Sequence, residues 1–144
     1  MDNGSAEHTA RIANGLLELG PDKIVSTTLY NEQFPGPLLR FKEGRQTTVD
    51  IHNDTDTPEQ LHWHGQFVPD SVDGAADEGT PFIPARGMRR IAFTLKAAGF
   101  RFYHTHTRAG SDLSAPANTA ARLVSSTSSR GMNPAPMTRR SSSC

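Results

Sequence analysis

Apolar residues in this chain recur at every second position over short runs, and no segment keeps the spacing of a helical face. Val49 and Ile51 face one way, as do Ile91, Phe93 and Leu95, with polar neighbours on the opposite side. Candidate strands cover 11–19, 23–30, 38–41, 46–53, 61–64, 90–95 and 100–106. Gly20-Pro21, Phe34-Pro35-Gly36-Pro37, Asn53-Asp54-Thr55-Asp56 and Gly99 separate them, and each is hard to place inside a strand or helix. Short strands with one core face and frequent turns predict an all-β Greek-key sandwich or barrel rather than a parallel α/β fold. The connection 67–87 is long for such a fold. Its glycines and prolines, with Asp70, Asp73, Asp77 and Glu78, predict a solvated loop rather than an acidic metal site.

Four of the six histidines lie in two His-x-His pairs, His62-Trp63-His64-Gly65 and His104-Thr105-His106, both inside predicted strands. Side chains at i and i+2 of a strand leave the same face, so each pair aims two imidazoles in one direction. Two such strands brought together supply a cluster of ring nitrogens. A single pair is often just two half-exposed strand histidines, and paired histidines also serve zinc hydrolases. Two pairs in a chain with so few other histidines point to metal ligation. Neutral imidazole suits copper, zinc, iron and nickel, so the histidines alone do not choose the metal.

A length of 144 residues accommodates one domain with one core. Formal charge is zero and the basic residues form no stripe, which predicts neither a nucleic-acid nor a membrane-surface partner. No apolar run is long enough to span a bilayer, and Met1-Asp2-Asn3-Gly4-Ser5 lacks the basic and apolar regions of a secretory signal. The one cysteine, Cys144, excludes an internal disulfide framework.

Residues 13–115 resemble the first cupredoxin domain of the multicopper oxidases, the group that includes laccases and ascorbate oxidase. The resemblance is carried by 31–37 with Leu38-Leu39, by His62-Trp63-His64-Gly65, by Asp73-Gly74 with Thr80-Pro81 and Pro84, and by 99–106. It implies a cupredoxin-like domain over 1–116, with copper as cofactor. By position, His62 is similar to the type 2 copper ligand, and His64, His104 and His106 to ligands of the paired type 3 coppers, together half of a trinuclear site. The last domain of the family supplies the other half. Dioxygen and a reducing substrate are the implied reactants once the missing domains are supplied. Trp63 reads as a core aromatic, Gly65 as relief of crowding or a turn, and His8 and His52 as ordinary surface or strand histidines.

The resemblance departs from the family in two places. No His-Cys-His segment is present, and Cys144 follows three serines, so the blue-copper electron-entry site has no counterpart. Residues 117–144 hold four arginines, seven serines and no acidic residue. That composition predicts a disordered tail, leaving the sandwich without its last strand. Codon arithmetic gives a reason. If each codon takes the third base of one tail codon and the first two of the next, the tail permits the family's Gly-Gln-Tyr-Ser-Gly-Gln segment, then Gly, two aliphatic residues and Tyr-Ile-Glu-Pro. The tail is therefore expected to be a frameshift product. Two rival readings stand beside the oxidase domain: a copper-binding module without turnover, and a mononuclear zinc hydrolase with Asp73 as general base.

Overall fold

A computed structural model describes residues 6–75, 78–96 and 98–105, together with the backbone of 124–129. Its described elements are β1 (His8–Gly20), β2 (Lys23–Tyr30), β3 (Leu39–Lys42), β4 (Gln46–Asn53), β5 (His62–His64), α1 (Asp70–Asp73), β6 (Gly87–Thr94), β7 (Gly99–His104) and β8 (Val124–Ser129). They form two four-stranded sheets, ordered β2-β1-β4-β6 and β3-β8-β7-β5. The predicted all-β architecture is therefore present. Strands β2 and β4 have the predicted bounds, and β1, β3, β5, β6 and β7 shift by one to three residues at their ends.

The core lies between the sheets. Thr47, Val49, Ile51 and Asn53 of β4 turn inward and are buried, and Val49 pairs with Ile91 across the ladder to β6. The second sheet contributes Leu39, Phe41, Trp63 and Tyr103. Trp63 packs at ring-centroid distances of 5.0 Å from Phe93 and 5.6 Å from Tyr103, with Phe41 at 6.1 Å. The Tyr103 hydroxyl donates to the Pro37 carbonyl at 2.9 Å, and burial pushes its pKa far above the usual phenol value. Burying each of these large side chains contributes roughly 1.5–3 kcal/mol.

Two segments differ from expectation. Connection 67–87 is not a solvated loop throughout, because Val72, Ala75, Thr80 and Ile83 are buried. Ile83 exchanges both backbone hydrogen bonds with Glu59, at 2.9 and 2.8 Å. The Arg89 guanidinium of β6 donates to the carbonyls of Pro81, at 2.9 Å, and Ser71. A single helical turn, α1, is too short to register as a period in the sequence. The second difference is β8. Val124–Ser129 lies within 117–144, where no alternation predicts a strand, yet its backbone occupies the slot between β3 and β7. An open slot between two strands offers unpaired N–H and C=O groups on both sides, and any extended backbone can satisfy them. The remaining tail residues lie outside the described part.

Candidate metal centre

Strands β5 and β7 pair antiparallel with His62 opposite His104, Trp63 opposite Tyr103 and His64 opposite Phe102. Trp63 and Tyr103 are buried to 1% and 0% exposure, so the period of two sends the histidines to the outer face. There His62, His64 and His104 each offer a ring nitrogen, and these atoms lie within 4.8 Å of one another. The predicted cluster thus forms for three of the four histidines. His106 lies outside the described residues. His52 on β4 pairs with Met88, and His8 on β1 packs edge-on against Phe41 at 4.7 Å. Burial lowers the His8 pKa, with Glu7 opposing. Neither histidine joins the group of three.

Each half of the cluster is braced from behind. Nδ1 of His62 lies 2.9 Å from the Asp73 carbonyl and 3.1 Å from its Oδ2. Both oxygens are acceptors, which assigns the proton to Nδ1 and leaves Nε2 with its lone pair. Asp73 is brought there by α1, whose C-terminal Gly74 has φ of 86°. A Cβ at Gly74 would meet the Leu61 carbonyl oxygen at 2.0 Å, so only glycine lets this turn lie against the chain entering β5. Thr80 secures the turn: its Oγ1 accepts from Gly74 N–H at 3.0 Å and donates to the Asp70 carbonyl. Gln60 donates to the Thr80 carbonyl at 3.0 Å.

His104 is held differently. Its Nδ1 lies 2.7 Å from the Thr105 carbonyl, which again assigns the proton to Nδ1 and turns the Nε2 lone pair toward His64 Nδ1, 3.4 Å away. His64 is the exposed member, and Phe102 stacks on it at 4.2 Å with an interplanar angle of 18°. Just beyond it, Gly65 takes φ of 75°, and its carbonyl accepts from Arg101 Nε at 2.8 Å. Glycine here serves a left-handed turn at the end of the ligand strand, and a Cβ would also crowd Arg101 Cδ at 3.1 Å, so both expected roles meet at this position.

Several residues that organise the centre escape a reading of the sequence. Asn53 is fully buried; its amide donates to the carbonyls of Thr57, Ile83 and Pro84 at 2.8–3.2 Å and accepts from the Thr55 N–H and hydroxyl. The Asn53-x-Thr55 pattern is an Asx-turn signal that could have marked it. Glu59, Gln60 and Arg89 leave no such trace, because their partners are remote in sequence.

An imidazole set in which two of three rings have Nδ1 engaged by oxygen acceptors suits copper or zinc chemically. Comparison with known proteins narrows this. The family model for multicopper oxidases matches residues 17–123. Copper resistance protein A of Pseudomonas syringae pv. tomato is 35% identical over 77 residues, covering 54% of this chain and 13% of that protein. Multicopper oxidase mco of Staphylococcus aureus is 28% identical over 106 residues, covering 73% of this chain and 23% of that protein. The chain therefore spans under a quarter of the length of these curated relatives. Among solved structures, a blue copper oxidase from Nitrosomonas europaea superposes with a TM-score of 0.73 at 25% identity, covering 90% of this chain and 40% of that one. A multicopper oxidase from Campylobacter jejuni superposes with a TM-score of 0.69 at 21% identity, over 91% of this chain and 28% of that one.

Proposed function

Because this chain belongs to the multicopper oxidase family, we propose that it acts as the copper-binding N-terminal domain of such an oxidase. It would carry half of the trinuclear ligands, His62 for the type 2 ion and His64, His104 and His106 for the type 3 pair, and no type 1 site. The observation that carries this reading is the convergence of three imidazole nitrogens within 4.8 Å, two of them with Nδ1 already engaged by an oxygen acceptor. Copper held there supplies the electron-transfer chemistry that couples oxidation of a reducing substrate to reduction of dioxygen to water. The protein's part is to bind and orient. Asp73 and the Thr105 carbonyl fix the ring tautomers, the β5–β7 ladder fixes ring separation, and Gly74 lets Asp73 approach.

The outer face bearing the histidines also carries Phe102 and Phe100, the latter 66% exposed. An apolar patch beside the histidine cluster supports the view that another domain covers the site and completes the coordination. Asp73 faces His62 at both of its nearest oxygens, which suits an orienting role better than the general base of a zinc hydrolase. The only cysteine in the sequence is Cys144, without an adjacent histidine, so the chain alone is expected to be inactive.

Reconstitution of the purified full chain with copper(II) tests this, by metal analysis and by absorption and oxygen-uptake measurements. Copper uptake with no intense blue band and no oxidation of phenols is the expected result. Failure to take up copper would overturn the reading, and robust turnover by the chain alone would overturn the assignment of a half-site without electron entry.

A further inference from the structure

A buried acid lies behind the centre, on the side away from Asp73's contact with His62. Glu59 is 5% exposed and Thr105 is 7% exposed, and Thr105 Oγ1 donates to Glu59 Oε2 at 2.8 Å across 46 positions of sequence. A buried carboxylate is costly unless hydrogen-bonded, and an apolar side chain of the same volume would fill the space with less penalty. Its backbone leaves it little freedom. The Glu59 N–H donates to the Ile83 carbonyl at 2.9 Å, and the Glu59 carbonyl accepts from Ile83 N–H at 2.8 Å. Thr105 in turn presents its carbonyl to His104 Nδ1 at 2.7 Å. The result is a relay of fixed contacts from a clamped acid, through a threonine, to a ring whose Nε2 lies 3.4 Å from Nδ1 of His64.

We propose that Glu59 is a positioning residue for the metal centre: through Thr105 it holds the carbonyl that sets the tautomer and orientation of His104. On the other half of the site Asp73 meets His62 directly, whereas Glu59 acts at one remove. The proposal rests on the copper-binding reading above for its functional meaning, but its structural content is independent of metal.

Two measurements on the full chain test it. In the metal-free protein, nitrogen-15 NMR of the imidazoles should show His104 as the Nδ1–H tautomer with a slowly exchanging proton. Glu59→Gln and Thr105→Ser retain an acceptor or a hydroxyl and should preserve that signature. Glu59→Leu and Thr105→Val remove one end of the contact and should give mixed tautomers with faster exchange. In the second measurement, copper(II) affinity by chelator competition should fall about tenfold in Glu59→Leu and in Thr105→Val, the range for loss of a group supporting a ligand. The double variant should be no weaker than either single one, as expected for two groups acting in series. Circular dichroism referenced to Glu59→Gln separates unfolding from loss of positioning. An unchanged His104 tautomer, wild-type copper affinity or multiplicative losses would each overturn the proposal. A wild-type chain that takes up no copper, yet loses the tautomer in Glu59→Leu, would sink the copper reading and leave the positioning role intact.

Discussion

Nδ1 of His64 faces Nε2 of His104 at 3.4 Å, across the ladder that joins β5 to β7. With the His104 proton on Nδ1 toward Thr105, its Nε2 carries a lone pair, so His64 is the donor of this contact in the metal-free chain. A cation held by these rings would have to displace that contact. Replacing His62, His64, His104 or His106 by Ala should therefore weaken copper(II) binding by at least about tenfold, since loss of a supporting group alone costs that much. His8→Ala and His52→Ala should bind like the parent. Equal losses at all six positions, measured by competition titration, would mean diffuse surface binding.

Gly74 is the point where a side chain is least tolerable. Gly74→Ala places a methyl against the Leu61 carbonyl at a backbone conformation that L-residues avoid. A cost of about 2 kcal/mol or more is expected, with loss of the Asp73 contact to His62. Thermal unfolding reads the first effect and copper affinity the second. A variant that melts and binds like wild type would show that the turn has room to relax.

Asn53 ties the end of β4 to the segment entering β5 and to the segment entering β6. Asn53→Ala removes its amide donors from three carbonyls and its acceptor from Thr55 in one step. The expected destabilisation is about 2–4 kcal/mol, because buried partners are left unsatisfied. Denaturant unfolding would measure it. Asn53→Asp should recover little, since it keeps only the acceptor.

Asp50 and Arg90 are directly opposed in the β4–β6 register, and Arg90 donates to Oδ1 at 2.6 Å and to Oδ2 at 2.8 Å. The Arg90 hydrogen bond lowers the Asp50 pKa below the usual carboxylate value. A lowered folded-state pKa means the stabilisation is present above the unfolded value, near 4, and is lost as pH falls through the folded one. Asp50→Asn should thus melt below wild type at neutral pH, with the difference shrinking toward zero in strong acid. Parallel melting curves across that range would remove the ion pair from the account.

The frameshift proposal for 117–144 makes a physical prediction at β8. In the shifted reading the aliphatic pair and Tyr-Ile derive from codons spanning 124–128, within Val124–Ser129, the segment that pairs with β3 and β7. Backbone pairing is available to either sequence, but only the shifted one supplies a run of large apolar side chains for the core. Replacing 117–144 with the shifted-frame sequence should raise the melting temperature and solubility. Coding DNA without oxidase codons in that frame, or an unchanged melting temperature, would end the proposal.

Local pattern determined much of this protein. The period of two predicted the strands around Val49, Ile51, Ile91 and Phe93. It also put His62 and His64 on one face with Trp63 on the other, because side-chain direction in a strand depends only on neighbouring backbone. What pattern could not supply was the partner of each strand. That His62 stands opposite His104, that the acidic connection returns as a buried turn bringing Asp73 to His62, and that Glu59 reaches Thr105 all depend on contacts between distant segments. Such contacts leave no mark on adjacent residues: they arise from register, packed loops and a glycine whose missing side chain admits a carbonyl. The same holds for β8, where a slot between two strands orders a segment that its own side chains do not specify.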